Sequence, residues 1–262
     1  MTSPDHCPRT VLEIHHLSYR YAGGCRALDD VSFSVTHGEV VGLVGPSGAG
    51  KSTLLMHLNG LLPDRRELRH RRSESPSVIV DGIPVRDETL PDVRRKVGFL
   101  FQDPDDQLFC PTVEEDVAFG PLHLDLPRDE VRRRVRESLA AVGLSGYEAR
   151  STVRLSVGER KRVCLAGVFA CKPTLLALDE PFSNLDPRSR KALIAILREF
   201  PGAQIIATHD LDLIVAVCSR VILLDEGRIQ ADGPARQILA DRKLVEEHGL
   251  EIPLCLRRTC EH

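Results

Sequence analysis

Gly45-Pro46-Ser47-Gly48-Ala49-Gly50-Lys51-Ser52 follows directly on the unbroken apolar run Val40-Val41-Gly42-Leu43-Val44. A run with no polar member fits a strand buried on both faces, and residues 52–62 behind the loop have helical character. Strand, glycine-rich loop and helix in that order are the setting in which G-x-x-x-x-G-K-[ST] cradles phosphate. The glycines let successive backbone N–H groups wrap phosphate oxygens, and the helix beginning near Lys51 points the positive end of its dipole at them. Lys51 adds a point charge for the β- and γ-phosphates. Ser52 offers its hydroxyl to Mg2+, and Thr53 closes the loop. A chain with this unit is expected to be α/β, with a parallel sheet built around the loop.

The remaining pattern supplies that sheet. Residues 11–39 alternate, with Val31, Phe33 and Val35 apolar at every second position and turns at Gly23-Gly24 and His37-Gly38, which reads as an antiparallel β-region. Residues 64–77 are polar and carry Arg65, Arg66, Arg69, Arg71 and Arg72, so they read as a solvated surface loop. Strands are expected at 78–85, with a turn at Asp81-Gly82, and at 97–101. Residues 103–146 are helical in character, Val131, Val135, Leu139 and Val142 falling on one face and the arginines elsewhere. A helix over 156–171, a buried strand over 174–178, a helix over 187–199 and a strand over 204–207 complete an alternation that requires parallel pairing. The expected division is a core of 11–102 and 172–238, a helical lobe of 103–171 and a tail of 239–262.

Composition removes several classes. The 262 residues carry a net charge of −3, against the strong basic excess of a dedicated nucleic-acid binder. Apolar stretches such as 221–224 are strand-sized, far below the roughly 20 residues that span a bilayer. The first nine residues are polar and contain Pro4 and Pro8, unlike a signal or transit peptide, and imply a protein that stays in the cytosol. The eight cysteines, Cys7 and Cys260 among them, form no C-x-x-C pair and read as reduced thiols. Cys164, Cys171 and Cys218 stand in apolar surroundings, as small buried hydrophobes do.

A second apolar run, 175–178, ends in Asp179-Glu180. The end of a strand beside a phosphate loop is where an aspartate holds Mg2+, and that residue is Asp179. Glu180, one position on, is placed to polarise the water that attacks the γ-phosphate.

With these residues the chain resembles the ATP-binding cassette ATPases, from about Val11 to Ile238. The resemblance implies ATP and Mg2+ as ligands, and a P-loop nucleotide-binding domain with a parallel-sheet core, an N-terminal antiparallel β-region and a helical lobe. It implies that Tyr21 stacks on adenine, that Gln102 senses Mg2+ and contacts a membrane partner, and that His209 in Ala207-Thr208-His209-Asp210 meets the γ-phosphate. Ser183-Asn184-Leu185-Asp186 matches the family's dimer-contact loop. Leu155-Ser156-Val157-Gly158-Glu159 stands where the common form is Leu-Ser-Gly-Gly-Gln. Ser156 and Gly158, which the family aims at a facing γ-phosphate, are kept. Val157 replaces a glycine, and a positive φ there would strain it by about 1–3 kcal/mol.

Residues 101–109, Phe-Gln-Asp-Pro-Asp-Asp-Gln-Leu-Phe, and 112–121 resemble the energy-coupling-factor branch and, within it, the cobalt and nickel subunits. The tail around His248 and Pro253 resembles it too. Acidic Asp103 to Asp106 and the apolar knob Leu108-Phe109 sit where a groove for a coupling helix is expected. The resemblance implies a peripheral protein on the cytoplasmic face of the membrane, working as a homodimer or paired with another such ATPase on transmembrane energy-coupling and substrate-binding subunits, and no nucleic-acid partner. A vitamin-type transporter uses similar ATPases and is the alternative. A soluble DNA-repair or translation protein of the family would need a coiled-coil insertion or second cassette, and neither is present. A non-hydrolysing scaffold would accommodate Val157, but intact Lys51, Asp179, Glu180 and His209 speak against it.

Overall fold

A computed structural model describes residues 9–70 and 75–257. Cys7, Cys260, Arg71, Arg72 and the polar N-terminus up to Pro8 lie outside the described residues. Six strands form the central sheet in the order β10 (Arg228–Pro234), β9 (Arg220–Asp225), β3 (Val40–Val44), β8 (Ala203–Ala207), β7 (Leu175–Asp179) and β6 (Val97–Leu100). Five are parallel, and only β10 is antiparallel, hairpinned onto β9. The second sheet has the order β2 (Arg26–Thr36), β1 (Thr10–Arg20), β4 (Val78–Val80), β5 (Ile83–Pro84) and is wholly antiparallel.

The continuous apolar runs are explained by what covers the central sheet. Leu43, Leu175, Ala177, Ile205 and Ile222 face a cluster shared with the antiparallel sheet and with α1 (Lys51–Leu58). Their neighbours Val44, Leu176, Leu178, Ile206 and Leu223 face the opposite way, into a cluster completed by helices. Successive side chains of a strand point to opposite faces, so a sheet covered on both needs apolar residues at every position. In the helical layer α4 (Val113–His123), α5 (Arg128–Ala141) and α6 (Val157–Ala170) pack together, and Val131, Val135 and Leu139 join this second cluster. The chain continues through α7 (Pro187–Arg198), α8 (Leu211–Val217), α9 (Ala235–Ala240), α10 (Arg242–Glu247) and α11 (Leu254–Arg257).

Two expectations are corrected. The stretch expected as a solvated loop contains a helix, α2 (Arg65–His70), whose start is capped by Asp64 accepting from the Glu67 N–H at 2.9 Å and whose Leu68 is buried. Arg65 and Arg69 pair with Asp87, a partner distant in sequence. The helix expected over 52–62 stops at Leu58, where Asn59 and left-handed Gly60 turn the chain. After them comes α3 (Leu90–Lys96), which leads into β6. Cys164 and Cys218 are buried, and burial pushes each thiol up to about 12, while Cys171 is half-buried.

Candidate active site

The register of the parallel strands brings the chemistry to one edge. Ala207 is level with both Leu43 and Asp179, and Leu100 is level with Leu178. The chain leaving β3 as the glycine loop, β7 as Glu180, β8 as Thr208-His209 and β6 as Phe101-Gln102 therefore emerges along a single line. This is the carboxyl edge of the sheet, where open α/β folds place their ligands.

In the loop, Gly45 and Gly50 have φ of 150° and 103°. A Cβ on Gly45 would lie 1.9 Å from the Leu224 carbonyl oxygen, and one on Gly50 would lie 2.4 Å from that of Ala27. Backbone alone fits there, and backbone amides are what a phosphate needs. Ser47 and Gly48 at the tip are exposed, Ala49 is buried beneath them, and Pro46 is half-buried. Lys51 Nζ donates to the carbonyl oxygens of Gly45 and Pro46, each at 2.8 Å, so the ammonium lies across the loop it serves. Burial pushes its pKa down, against the pull of Glu180 and Asp179.

Asp179 is 7% exposed, and burial pushes its carboxyl up against a hydrogen bond with Ser52. Among the described residues no group of three or more His, Cys, Asp or Glu forms a cage for a metal ion. One carboxylate and one hydroxyl, both hard oxygen donors, fit Mg2+ of the kind completed by phosphate and water oxygens. The Tyr21 hydroxyl lies 3.0 Å from Thr53 Oγ1, with its ring half-exposed and edge-on to Tyr19 at 5.0 Å, beside the start of α1.

Glu180 is held from several directions. Its φ of 43° is left-handed, a conformation costly for a residue with a Cβ and typical of functional strain. Thr208 Oγ1 donates to Oε2 at 2.9 Å, while the His209 backbone N–H donates to Oε1 at 3.0 Å and Nδ1 lies 2.8 Å from the same oxygen. The carboxylate is mostly covered, whereas the His209 side chain is 77% exposed. Gln102, two residues past the end of β6, is exposed. Thr208 carries no sequence signal beyond its place beside His209, and its contact with Glu180 depends on the β7–β8 register.

Ser156 and Gly158 stand elsewhere, at the start of α6. Ser156 caps the helix, accepting from the Glu159 N–H at 3.3 Å, while its own N–H and hydroxyl each donate to Glu159 Oε2 at 2.9 Å. Glutamate thus closes a capping box, and Tyr147 adds a bond to its other oxygen at 2.9 Å. The strain expected at Val157 is absent, because Val157 is the first helical residue and has no positive φ. Gly158 is buried against α7, where a Cβ would lie 2.4 Å from Ser189 Oγ. The structure thus gathers Lys51, Ser52, Asp179, Glu180 and His209, with Tyr21 beside them, and places Ser156, exposed, at the N-terminus of α6.

Comparison with known proteins agrees with this arrangement. Residues 28–183, more than half of the chain, match the family described as ABC transporter. A putative ABC transporter ATP-binding protein of Gloeobacter violaceus is 50% identical over 94% of this chain and 98% of its own length. The energy-coupling factor transporter ATP-binding protein EcfA of Methanothermobacter thermautotrophicus is 45% identical over 93% of this chain and 77% of its own. The solved structure of cbiO1 from Clostridium perfringens, part of the ABC transporter complex cbiONQ, superimposes with a TM-score of 0.78 at 33% identity, covering 96% of this chain and 99% of that one. With a phosphate loop, a buried aspartate and a braced glutamate on one sheet edge, and relatives that match over nearly the whole length, the chain belongs to the ABC transporter ATP-binding family and is an ATPase.

Proposed function

We propose that this protein is the ATP-hydrolysing subunit of an energy-coupling-factor importer, and that the ion carried is cobalt or nickel. The observation that carries the hydrolytic reading is the bracing of Glu180 by Thr208 and His209. The loop amides and Lys51 bind the phosphates, and Tyr21 takes the adenine. Asp179 and Ser52, with Gln102 as the third candidate, would hold Mg2+, which would supply charge neutralisation to the phosphate oxygens. Glu180 orients water and accepts its proton as the γ-phosphate is attacked, while His209 contacts that phosphate. Ser156 and Gly158 close the site from a second copy facing it, or from a related ATPase, through the N-terminal dipole of α6.

The membrane side is read from a groove of Leu108, Phe109, Asp116, Phe119 and Gly120 on the helical lobe, residues 103–171. Phe109 is 65% exposed and stacks edge-on with Phe119 at 4.7 Å, an apolar seat with Asp116 in its lining. Such a surface suits an amphipathic coupling helix of a transmembrane subunit. Among the described residues no helix is long and apolar enough to cross a membrane, consistent with a peripheral subunit on the cytoplasmic face. The names of EcfA and of cbiO1 support the branch. Because EcfA names no cargo, a vitamin remains the second reading. Reconstitution with the membrane subunits in vesicles, followed by ATP-driven uptake of Co2+, Ni2+ or vitamins, tests both. Co2+ or Ni2+ uptake is expected, and vitamin uptake alone transfers the assignment to the second reading.

A further inference from the structure

Lys161 is 1% exposed, a position at which lysine is rare unless its charge is met. It meets no carboxylate within ion-pair distance among the described residues. Its three donors go instead to the Glu180 carbonyl at 3.0 Å, the Pro181 carbonyl at 3.2 Å and Ser183 Oγ at 3.0 Å. An ammonium has three N–H groups, so all are committed to one turn of chain. Ser183 reinforces that turn, its hydroxyl donating to the Glu180 carbonyl at 2.9 Å and its N–H to the same oxygen at 3.2 Å.

The turn begins with the left-handed Glu180. Its N–H is fixed to the Ala207 carbonyl at 2.9 Å, and its carbonyl is the acceptor shared by Lys161 and Ser183. A strained residue persists only where its surroundings over-determine it. The N–H is held by the sheet; the carbonyl is held from α6. That helix begins at Val157 behind its cap Ser156, and its buried Gly158 fits against Ser189 of α7, so α6 grips the segment after Glu180 at both ends.

We propose that Lys161 is a positioning residue for hydrolysis, holding the backbone of Glu180 from α6 so that the carboxylate stays aimed at the attacking water. With its three donors committed to the Glu180–Ser183 turn, Lys161 acts through Glu180, so the inference rests on the hydrolytic role proposed for that residue. It also makes the aim of Glu180 depend on where α6 stands.

The test is steady-state ATPase kinetics on the purified full-length chain, comparing wild type, Lys161→Met, Lys161→Arg and Glu180→Gln. Lys161→Met is expected to lose at least tenfold in kcat with KM for ATP within twofold, and to collect as an ATP-bound dimer in size-exclusion. Lys161→Arg, which keeps charge and donors, is expected to retain at least a third of the wild-type kcat. Lys161→Met with kcat within twofold of wild type overturns the proposal. So does a loss of kcat accompanied by equal losses of ATP affinity and thermal midpoint in both Met and Arg variants, which would mark a structural role only. Glu180→Gln separates the premise from the inference. Continued turnover there overturns the role of Glu180 itself, whereas lost turnover there with a normal Lys161→Met overturns the Lys161 link alone.

Discussion

His209 Nδ1 lies 2.8 Å from Glu180 Oε1, and the backbone N–H of the same histidine donates to that oxygen at 3.0 Å. An ionised carboxylate only accepts, so the proton of this contact sits on Nδ1. A neutral ring with its proton there offers only a lone pair at Nε2. The backbone nitrogen and Nδ1 of His209 thus brace the same carboxylate oxygen of Glu180.

Thr208 should matter although it touches no phosphate in this account. Its hydroxyl donates to Glu180 Oε2 at 2.9 Å and accepts from the Asp210 N–H at 3.2 Å. Thr208→Val keeps the shape and removes both bonds. We expect kcat to fall about tenfold, or ~1.4 kcal/mol, with KM for ATP unchanged. A normal kcat would show that the bond to Oε2 does not aim the carboxylate.

Lys51→Ala removes the loop's cation and Asp179→Asn removes the buried carboxylate. Each is expected to weaken Mg·ATP binding by a hundredfold or more, about 2.7 kcal/mol, in equilibrium titration with a fluorescent ATP analogue. Unchanged affinity in either would remove that residue from the site.

Stability should show an acid limb to which Glu39 contributes. Burial pushes its carboxyl up, but bonds from Thr36 and from Arg220, at 3.0 Å, outweigh that and hold it below the usual range. A carboxyl lowered on folding contributes stability that is full above its ordinary value, about pH 4.3, and is lost as pH falls through the lower folded value. Glu39→Gln should therefore lower stability by about 1–2 kcal/mol at pH 7 in urea unfolding, with the difference shrinking toward pH 3. A difference independent of pH would mean that packing, not charge, accounts for it.

The composite site predicts that activity belongs to pairs. Ser156→Arg places a bulky cation at the start of α6 and should still bind one ATP per chain while losing turnover. Specific activity of the wild-type chain should rise with its concentration. Full turnover in Ser156→Arg, or constant specific activity down to a demonstrated monomer, would exclude a site shared between copies.

The phosphate loop and the Asp179-Glu180 strand end were legible because each follows an apolar run whose burial on both faces leaves little freedom. The resemblance added Tyr21, Gln102, His209 and the Ser156 region, whose positions no periodicity marks. What stayed hidden depends on contacts between segments far apart in sequence. Helix α2 has only Leu68 as an apolar anchor and draws on Asp87. Lys161 stands between Arg160 and Arg162, in a run that reads as a solvated face until α6 is laid against Glu180. At Val157 the sequence raised a strain that the helix start removes, since Ser156 at φ −64° caps a turn in which a β-branched residue is at ease. Helices α8 to α11 run four to seven residues, too short for a 3.6-residue period to declare itself.

The central claim is that Glu180 activates the water that cleaves ATP. It is tested most directly by phosphate release from saturating Mg·ATP, wild type against Glu180→Gln, with bound nucleotide quantified in the same samples. The variant keeps size and hydrogen bonding and lacks the base. We predict a loss of at least a hundredfold in release with ATP still bound at one per chain. Release within a few-fold of wild type at full occupancy would contradict the account.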